Sequence, residues 1–417
     1  MTTRTLLAST LAATLAGSGF ASAQTARPES VGMSSERLGR IGDLVKTYID
    51  RGDITGAVTL VARRGQIVYH EAQGVRDQET GEPMTRGTLF RIASMSKPVA
   101  GVAIMMMVEE GKVRLNDPVS RFLPSFENTM VAVAREGAGG GRGGRGGVPQ
   151  FDTVPAERQI TVADLLTHTS GVMSGGMSNS VGNQFSGQRH ELGLAWVDEL
   201  GTAPLEFQPG SRWAYSALAG FDVLSRIVEI VSGQSFDLFL ESRMFEPLGM
   251  NDTTFWPTDA QRERLVTSYN RNDEGLAERG NPDSMSGERY FSGAGGLMTT
   301  AEEYARFGMM LAASGRAPGG RQLLGSRTLE VMRSVWIPDT LPGRGPGEGF
   351  GLSVRVVDDP IGAGSLVSPG TFGWSGAYGT HFFVDPVEEI VGVMMIQTPI
   401  REMRPLFETA VMQAVVD

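Results

Sequence analysis

The chain has 417 residues, of which 41% are hydrophobic and 20% charged, and its formal net charge is −10. That length can bury a large core, or two domains sharing one, and the acidic balance argues against nucleic acid and anionic membranes as partners. Cysteine is absent, which excludes disulfides, thiolate metal sites and cysteine nucleophiles.

Residues 1–23 read as a secretory signal. Arg4 supplies the positive start, 6–15 a short apolar stretch, and Ala21-Ser22-Ala23 a cleavage site ahead of Gln24. The expected location is periplasmic or secreted. No run is long and apolar enough to predict a membrane span.

Residues 33–50 have helical periodicity, with Leu38, Ile41, Leu44, Val45 and Ile49 on one face, Ser34 as N-cap and Gly52 as stop. Two strand-like runs follow, 56–62 and 66–70, joined by Arg63-Arg64-Gly65. A helix, a hairpin and another helix do not make a βαβ pattern, so the sheet is predicted to be antiparallel.

The stretch 91–113 carries Ser94 and Lys97 at the start of an apolar helix. Helical residues three apart share a face, so the hydroxyl is expected beside the amine. A serine hydroxyl needs a nearby base to act as a nucleophile, and the apolar run 99–108 could bury the lysine. Gly111 is the expected cap. The spacing alone is weak evidence, because an N-cap serine beside a solvated lysine gives the same pattern.

Residues 137–147 hold eight glycines in eleven positions and are predicted to be a flexible insertion. Thr161 is placed to cap a short helix that leads to His168, which is either a base or a hydrogen-bonded structural residue. None of the four histidines, His70, His168, His190 and His381, has a paired metal-binding spacing, and no cofactor is called for. Residues 173–188, rich in Gly, Ser and Asn, are expected to form a loop. Tyr215 precedes a helix predicted over 218–231; it is either packing or, beside a lysine ammonium, a general base. A further helix is predicted over 236–245.

Thr300 and Glu303 make a capping-box pattern before a helix over 301–313. Strands are predicted over 371–374, 379–384 and 390–396, then a helix over 404–416. Small residues around Trp374 on a strand allow close approach of a ligand or mark a bulge. No G-x-S-x-G elbow occurs; the nearest, at 373–377, ends in Ala377 and precedes no helix.

With Ser94, Lys97, Tyr215 and the 374–377 segment in view, the chain resembles the class C β-lactamase and penicillin-binding-protein superfamily. It looks most like the carboxylesterase branch, the family VIII esterases. The phrases that carry this are FRIASMSKPVAGVAIMMMVEEGKVRLNDPVSRFLP, LLTHTSG, FQPGSRWAYS, PLGM and GGLMTTAEEYARF. The resemblance implies an α+β, β-lactamase/transpeptidase-like fold, with an antiparallel sheet flanked by helices and an inserted helical domain. Its division of the chain would be 24–125 with 285–417 for the sheet domain and 126–284 for the insertion.

The resemblance also implies roles. Ser94 would be the acylated nucleophile, Lys97 the lysine that helps deprotonate it, and Tyr215 the base and acid of a Y-x-N motif. Trp374, Ser375 and Gly376 would replace K-T-G as the substrate-binding segment, and the N–H groups of Ser94 and Ala377 would form the oxyanion hole. Two departures matter: Ala217 stands where the motif has asparagine, and Trp374 where it has lysine. Should a cation fill that lysine's place, Arg212 and Arg289 are candidates. These changes point to a small neutral ester as substrate. The alternatives are a β-lactamase, a D-Ala-D-Ala-type carboxypeptidase or D-aminopeptidase of the same fold, and a non-catalytic ligand sensor.

Overall fold

A computed structural model of the chain describes residues 25–135, 150–273, 275–278 and 284–417. The expected leader, 1–23, and the glycine-rich stretch, 137–147, lie outside them.

Helix α1 (Ser35–Asp50) starts at the predicted cap: the Ser34 hydroxyl accepts from the Arg37 N–H and satisfies one free donor of the first turn. Strands β1 (Gly56–Arg63) and β2 (Gln66–Gly74) follow as an antiparallel hairpin. Arg64 and Gly65 between them have φ of 51° and 74°, the left-handed pair whose turn matches strand twist. Helix α2 (Ser96–Glu109) is buried at every residue from Ser96 to Met107. A helix that is apolar on all sides belongs inside a core. Helix α3 (Ala219–Ser232) packs on α2, and helix α4 (Ala301–Ala312) lies on the sheet.

Five late strands complete the sheet: β3 (Glu348–Phe350), β4 (Arg355–Val357), β5 (Thr371–Ser375), β6 (His381–Asp385) and β7 (Ile390–Met395). Helix α5 (Met403–Met412) closes the chain. The strand order is β2-β1-β7-β6-β5-β4-β3, antiparallel at every pairing. The first hairpin thus joins the last strand, with Val58 opposite Met395 and Leu60 opposite Val393.

Alternate strand residues point to opposite faces, and they divide the core into two layers. Val58, Leu60, Phe382, Val384, Val393 and Met395 join the layer that holds α2, α3 and α4. Ala57, Val61, Phe383, Ile390 and Met394 pack with α1 and α5. The architecture is α+β, an antiparallel sheet between helical layers. The long stretch between β2 and β3 carries helices and short hairpins.

Several local expectations change. Residues 173–188 contain a helix, Gly176–Ser186, despite low intrinsic propensity. Its first turn is capped from outside, the Glu206 carboxylate accepting from the Ser178 N–H at 2.7 Å. The capping box at Thr300 is half formed. Thr300 Oγ1 accepts from the Glu303 N–H, but the Glu303 carboxylate turns to the Asp252 N–H and the Thr253 hydroxyl. The helix expected over 236–245 widens into a π turn at Glu241–Phe245, and α5 ends at Met412. Strands β3 and β4, three residues each, are too short to show a period.

Candidate active site

Ser94 lies on a 3₁₀ turn, Ala93–Met95, just before α2 rather than within it. Ala93 has φ of 44°, a left-handed conformation that costs a non-glycine residue about 1–2 kcal/mol. The surroundings hold the turn in place. The Met95 N–H donates to Ile92 O at 3.0 Å, the Tyr304 hydroxyl to Met95 O at 2.7 Å, and the Leu297 N–H to Ser96 Oγ at 3.1 Å.

Lys97, on the first turn of α2, is fully buried. Its Nζ donates to Ala217 O and Ala294 O, both at 2.8 Å, and reaches Ser94 Oγ at 3.4 Å. An ammonium has three protons and no lone pair, and these three oxygens use all of them. The rings of Tyr215 and Phe221 face the same nitrogen, with centroids at 5.0 and 5.4 Å. The Tyr215 hydroxyl is 2.7 Å from Ser94 Oγ. The sequence-predicted serine, lysine and tyrosine therefore converge.

Tyr215 stands on an extended stretch pinned by His168. The Ala214 N–H donates to His168 O at 3.1 Å and the Ser216 N–H to His168 Nδ1 at 3.2 Å. The His168 ring also packs on Tyr215 at 4.6 Å between centroids. Burial pushes its pKa well below the usual value, and the Lys97 charge adds to this. His168 is thus a neutral support for Tyr215, and no hydrogen bond joins it to Ser94.

The 374–377 segment ends β5 and turns over the same space. Trp374 stands 5.8 Å from the Tyr215 ring and edge-on to Phe350 at 5.2 Å. Gly376 runs so close to the serine turn that a Cβ there would sit 2.3 Å from Ile92 O. Ser94 and Ala377 both line one cavity of about 840 Å³, and neither backbone N–H is spent on a backbone carbonyl among the described residues. Such a pair of amides can receive a developing oxyanion.

Other groups at the site were not foreseen. Arg401 and Arg404 line the cavity, whereas Arg212 stands over the Phe207 ring. His381 lies behind Ser375. Asp222, on α3 near Lys97, is a fully buried carboxylate that accepts from Trp196 Nε1 at 3.0 Å and from the Tyr290 and Ser292 hydroxyls at 2.6 Å. Burial holds its pKa above the usual value, although these bonds and the Lys97 charge pull the other way. A single aspartate inside the apolar run of α3 was the available signal. Among the described residues, no group of three or more His, Asp or Glu is arranged to hold a metal, and no helix is long and apolar enough to cross a membrane.

A serine flanked by a buried lysine and a tyrosine, on a 3₁₀ turn beside an antiparallel sheet, defines a serine hydrolase of the β-lactamase and penicillin-binding-protein type. The chain matches the Beta-lactamase family over residues 41–415 and belongs to it. Protein Rv1367c of Mycobacterium tuberculosis is 36% identical over 371 residues, covering 85% of this chain and 88% of that one. Esterase EstB of Burkholderia gladioli is 32% identical over 357 residues, covering 80% and 83%. Among solved structures, EstCE1, described as a hydrolase with promiscuous acyltransferase activity, has a TM-score of 0.75 at 27% identity. That likeness covers 92% of this chain and 99% of EstCE1.

Proposed function

We propose that the protein hydrolyses short-chain neutral carboxylic esters through an acyl-enzyme on Ser94. The observation that carries this reading is the approach of Tyr215 Oη and Lys97 Nζ to Ser94 Oγ, at 2.7 and 3.4 Å, in a cavity walled by Trp374. The similarity to an esterase, EstB, supports it.

In this mechanism Tyr215 reacts as a phenolate, its charge balanced by the Lys97 ammonium, and Ser94 Oγ bonds to the ester carbonyl carbon as its proton passes to that phenolate. The carbonyl oxygen becomes an oxyanion, held by the Ser94 and Ala377 N–H groups. Collapse breaks the bond to the alcohol oxygen, which takes the proton from Tyr215. Water then attacks the acyl-enzyme by the same path and releases the acid. With its protons directed at three oxygens, Lys97 acts as a fixed positive charge that stabilises the negative charge moving between Ser94 and Tyr215.

A serine-reactive phosphonate is expected to label the peptide that holds Ser94, and Ser94→Ala to abolish turnover with little change in stability. Tyr215→Phe and Lys97→Ala should each lose several orders of magnitude, and the double variant little more, because the three act as a unit. Labelling at another serine, or wild-type rates in Ser94→Ala, would remove the mechanism. Arg401 and Arg404 favour a second reading, a carboxylate-bearing substrate such as a β-lactam or a peptide ending in D-alanine. Comparing p-nitrophenyl acetate with nitrocefin and a D-alanyl-D-alanine peptide separates the two. We also propose that the protein is exported and cleaved after Ala23, which the N-terminal sequence of exported material tests.

A further inference from the structure

Ser375, at the end of β5, lines the cavity with Ser94. Its register partner on β6 is His381, and Ser375 Oγ lies 2.9 Å from His381 Nδ1. The other ring nitrogen, Nε2, lies 3.0 Å from Glu408 Oε1 on α5. Arg355, on β4, is 2.5 Å from that same oxygen. His381, Glu408 and Arg355 are 1%, 3% and 4% exposed.

The protons along this row follow from the acceptors. Burial pushes the Glu408 pKa up, but the bond from His381 and the charge of Arg355 outweigh it and bring it down to about 2. Glu408 is therefore an ionised carboxylate, which can only accept, so His381 Nε2 carries a hydrogen. Burial also pushes the His381 pKa below its usual value. The ring is neutral, and Nδ1 is a lone pair in need of a donor. The Ser375 hydroxyl is that donor. Its proton turns inward to His381, and the remaining lone pairs of Oγ turn to the cavity.

We propose that Ser375 is a specificity residue that accepts a hydrogen bond from a substrate hydroxyl, so that the enzyme prefers esters carrying a hydroxyl near the scissile bond. This rests on the esterase reading and narrows its substrate class. An unsubstituted chain that covers Ser375 strips water from Oγ and returns nothing, whereas a hydroxyl restores the lost bond. Neither neighbour along the strand duplicates this role, since Trp374 offers a ring and an N–H donor and Gly376 has no side chain.

The test uses matched esters: ethyl butyrate against ethyl 3-hydroxybutyrate for the acyl side, and butyl acetate against 3-hydroxybutyl acetate for the alcohol side. Wild-type kcat/KM should favour the hydroxylated member of at least one pair by about 3- to 10-fold, the scale of one neutral hydrogen bond. In Ser375→Ala that ratio should fall to about 1. Because both esters are measured on one enzyme, a general loss of activity does not move it. An unchanged ratio in Ser375→Ala, or no preference in wild type, overturns the proposal alone. No turnover of any of these esters overturns the esterase reading and this proposal with it. Nitrogen-15 NMR of His381 adds a readout independent of turnover: a protonated Nε2 and a bare Nδ1 are expected, and a proton on Nδ1 overturns the assignment.

Discussion

Gly376→Ala tests whether the serine turn and the end of β5 are set against one another for catalysis. The added Cβ would lie 2.2 Å from Thr380 Oγ1 and 2.3 Å from Ile92 O, where close carbon–oxygen contacts are about 3.3 Å or more. The threonine hydroxyl can rotate away. The carbonyl cannot, because it accepts from the Met95 N–H at 3.0 Å and so closes the turn that carries Ser94. Strand β5 must retreat by about 1 Å, and Ala377 retreats with it. Overpacking of this kind costs about 1–3 kcal/mol, so the melting temperature should fall by only a few degrees. A 1 Å displacement of catalytic groups can cost about 10²-fold in rate, and kcat/KM on p-nitrophenyl acetate should fall by that factor. Differential scanning calorimetry and the rate of phosphonate labelling complete the measurement. A kcat/KM within threefold of wild type, with the protein folded, would refute the reasoning.

Trp374→Lys should raise activity on benzylpenicillin relative to p-nitrophenyl butyrate, since an indole becomes a cation able to pair with a carboxylate; an unchanged ratio would mean that Arg401 or Arg404 already fills that role. Lys97→Ala should lower stability as well as activity, because Ala217 O and Ala294 O lose their donor inside the core, at about 1–3 kcal/mol for a buried group left unsatisfied; urea denaturation measures it. Stability should also decline as pH falls from about 6.5 to about 4. Burial, with the charge of Arg86 second, lowers the His70 pKa from 6.5 to about 4, so in this window the unfolded chain binds a proton that the folded one refuses. The stability held above pH 6.5 is lost on the way down, and His70→Leu should flatten that part of the curve in urea titrations at several pH values.

Much of this was legible because local chemistry and chain order agreed. Ser94 and Lys97 are three residues apart, so helical geometry alone brings them together. Ser34 and the Arg64-Gly65 turn announced the first helix and hairpin. Tyr215 needed the resemblance, since 121 residues separate it from Ser94 and nothing local points it there. The row from Ser375 through His381 to Glu408 and Arg355 was hidden for a different reason. Its members come from three neighbouring strands and the last helix, and only the register of β5 on β6 and on β4 aligns them. Arg401 and Arg404 read as an ordinary loop and helix start until α5 is laid beside the cavity. Asp222 carries only a weak local signal because a helix with an apolar face tolerates an occasional acid, and its three donors come from distant segments.

The pairing of β1 with β7 has a bearing on how the enzyme comes to exist. A ribosome delivers chain at about 5–20 residues per second, so Val58 waits tens of seconds for Met395. Until then one side of β1 is an unpaired edge whose eight residues are all buried in the finished protein, the kind of surface that invites aggregation. Pairings so distant in sequence are also slow to close. Ser94 emerges early and Ala377 late, and the last strands bring them to one cavity. A chain stopped short of β7 would contain Ser94, Lys97, Tyr215 and Ala377 in full and still lack the strand that joins β1 to β6, so the sheet behind the cavity is completed only by the last strand to be made.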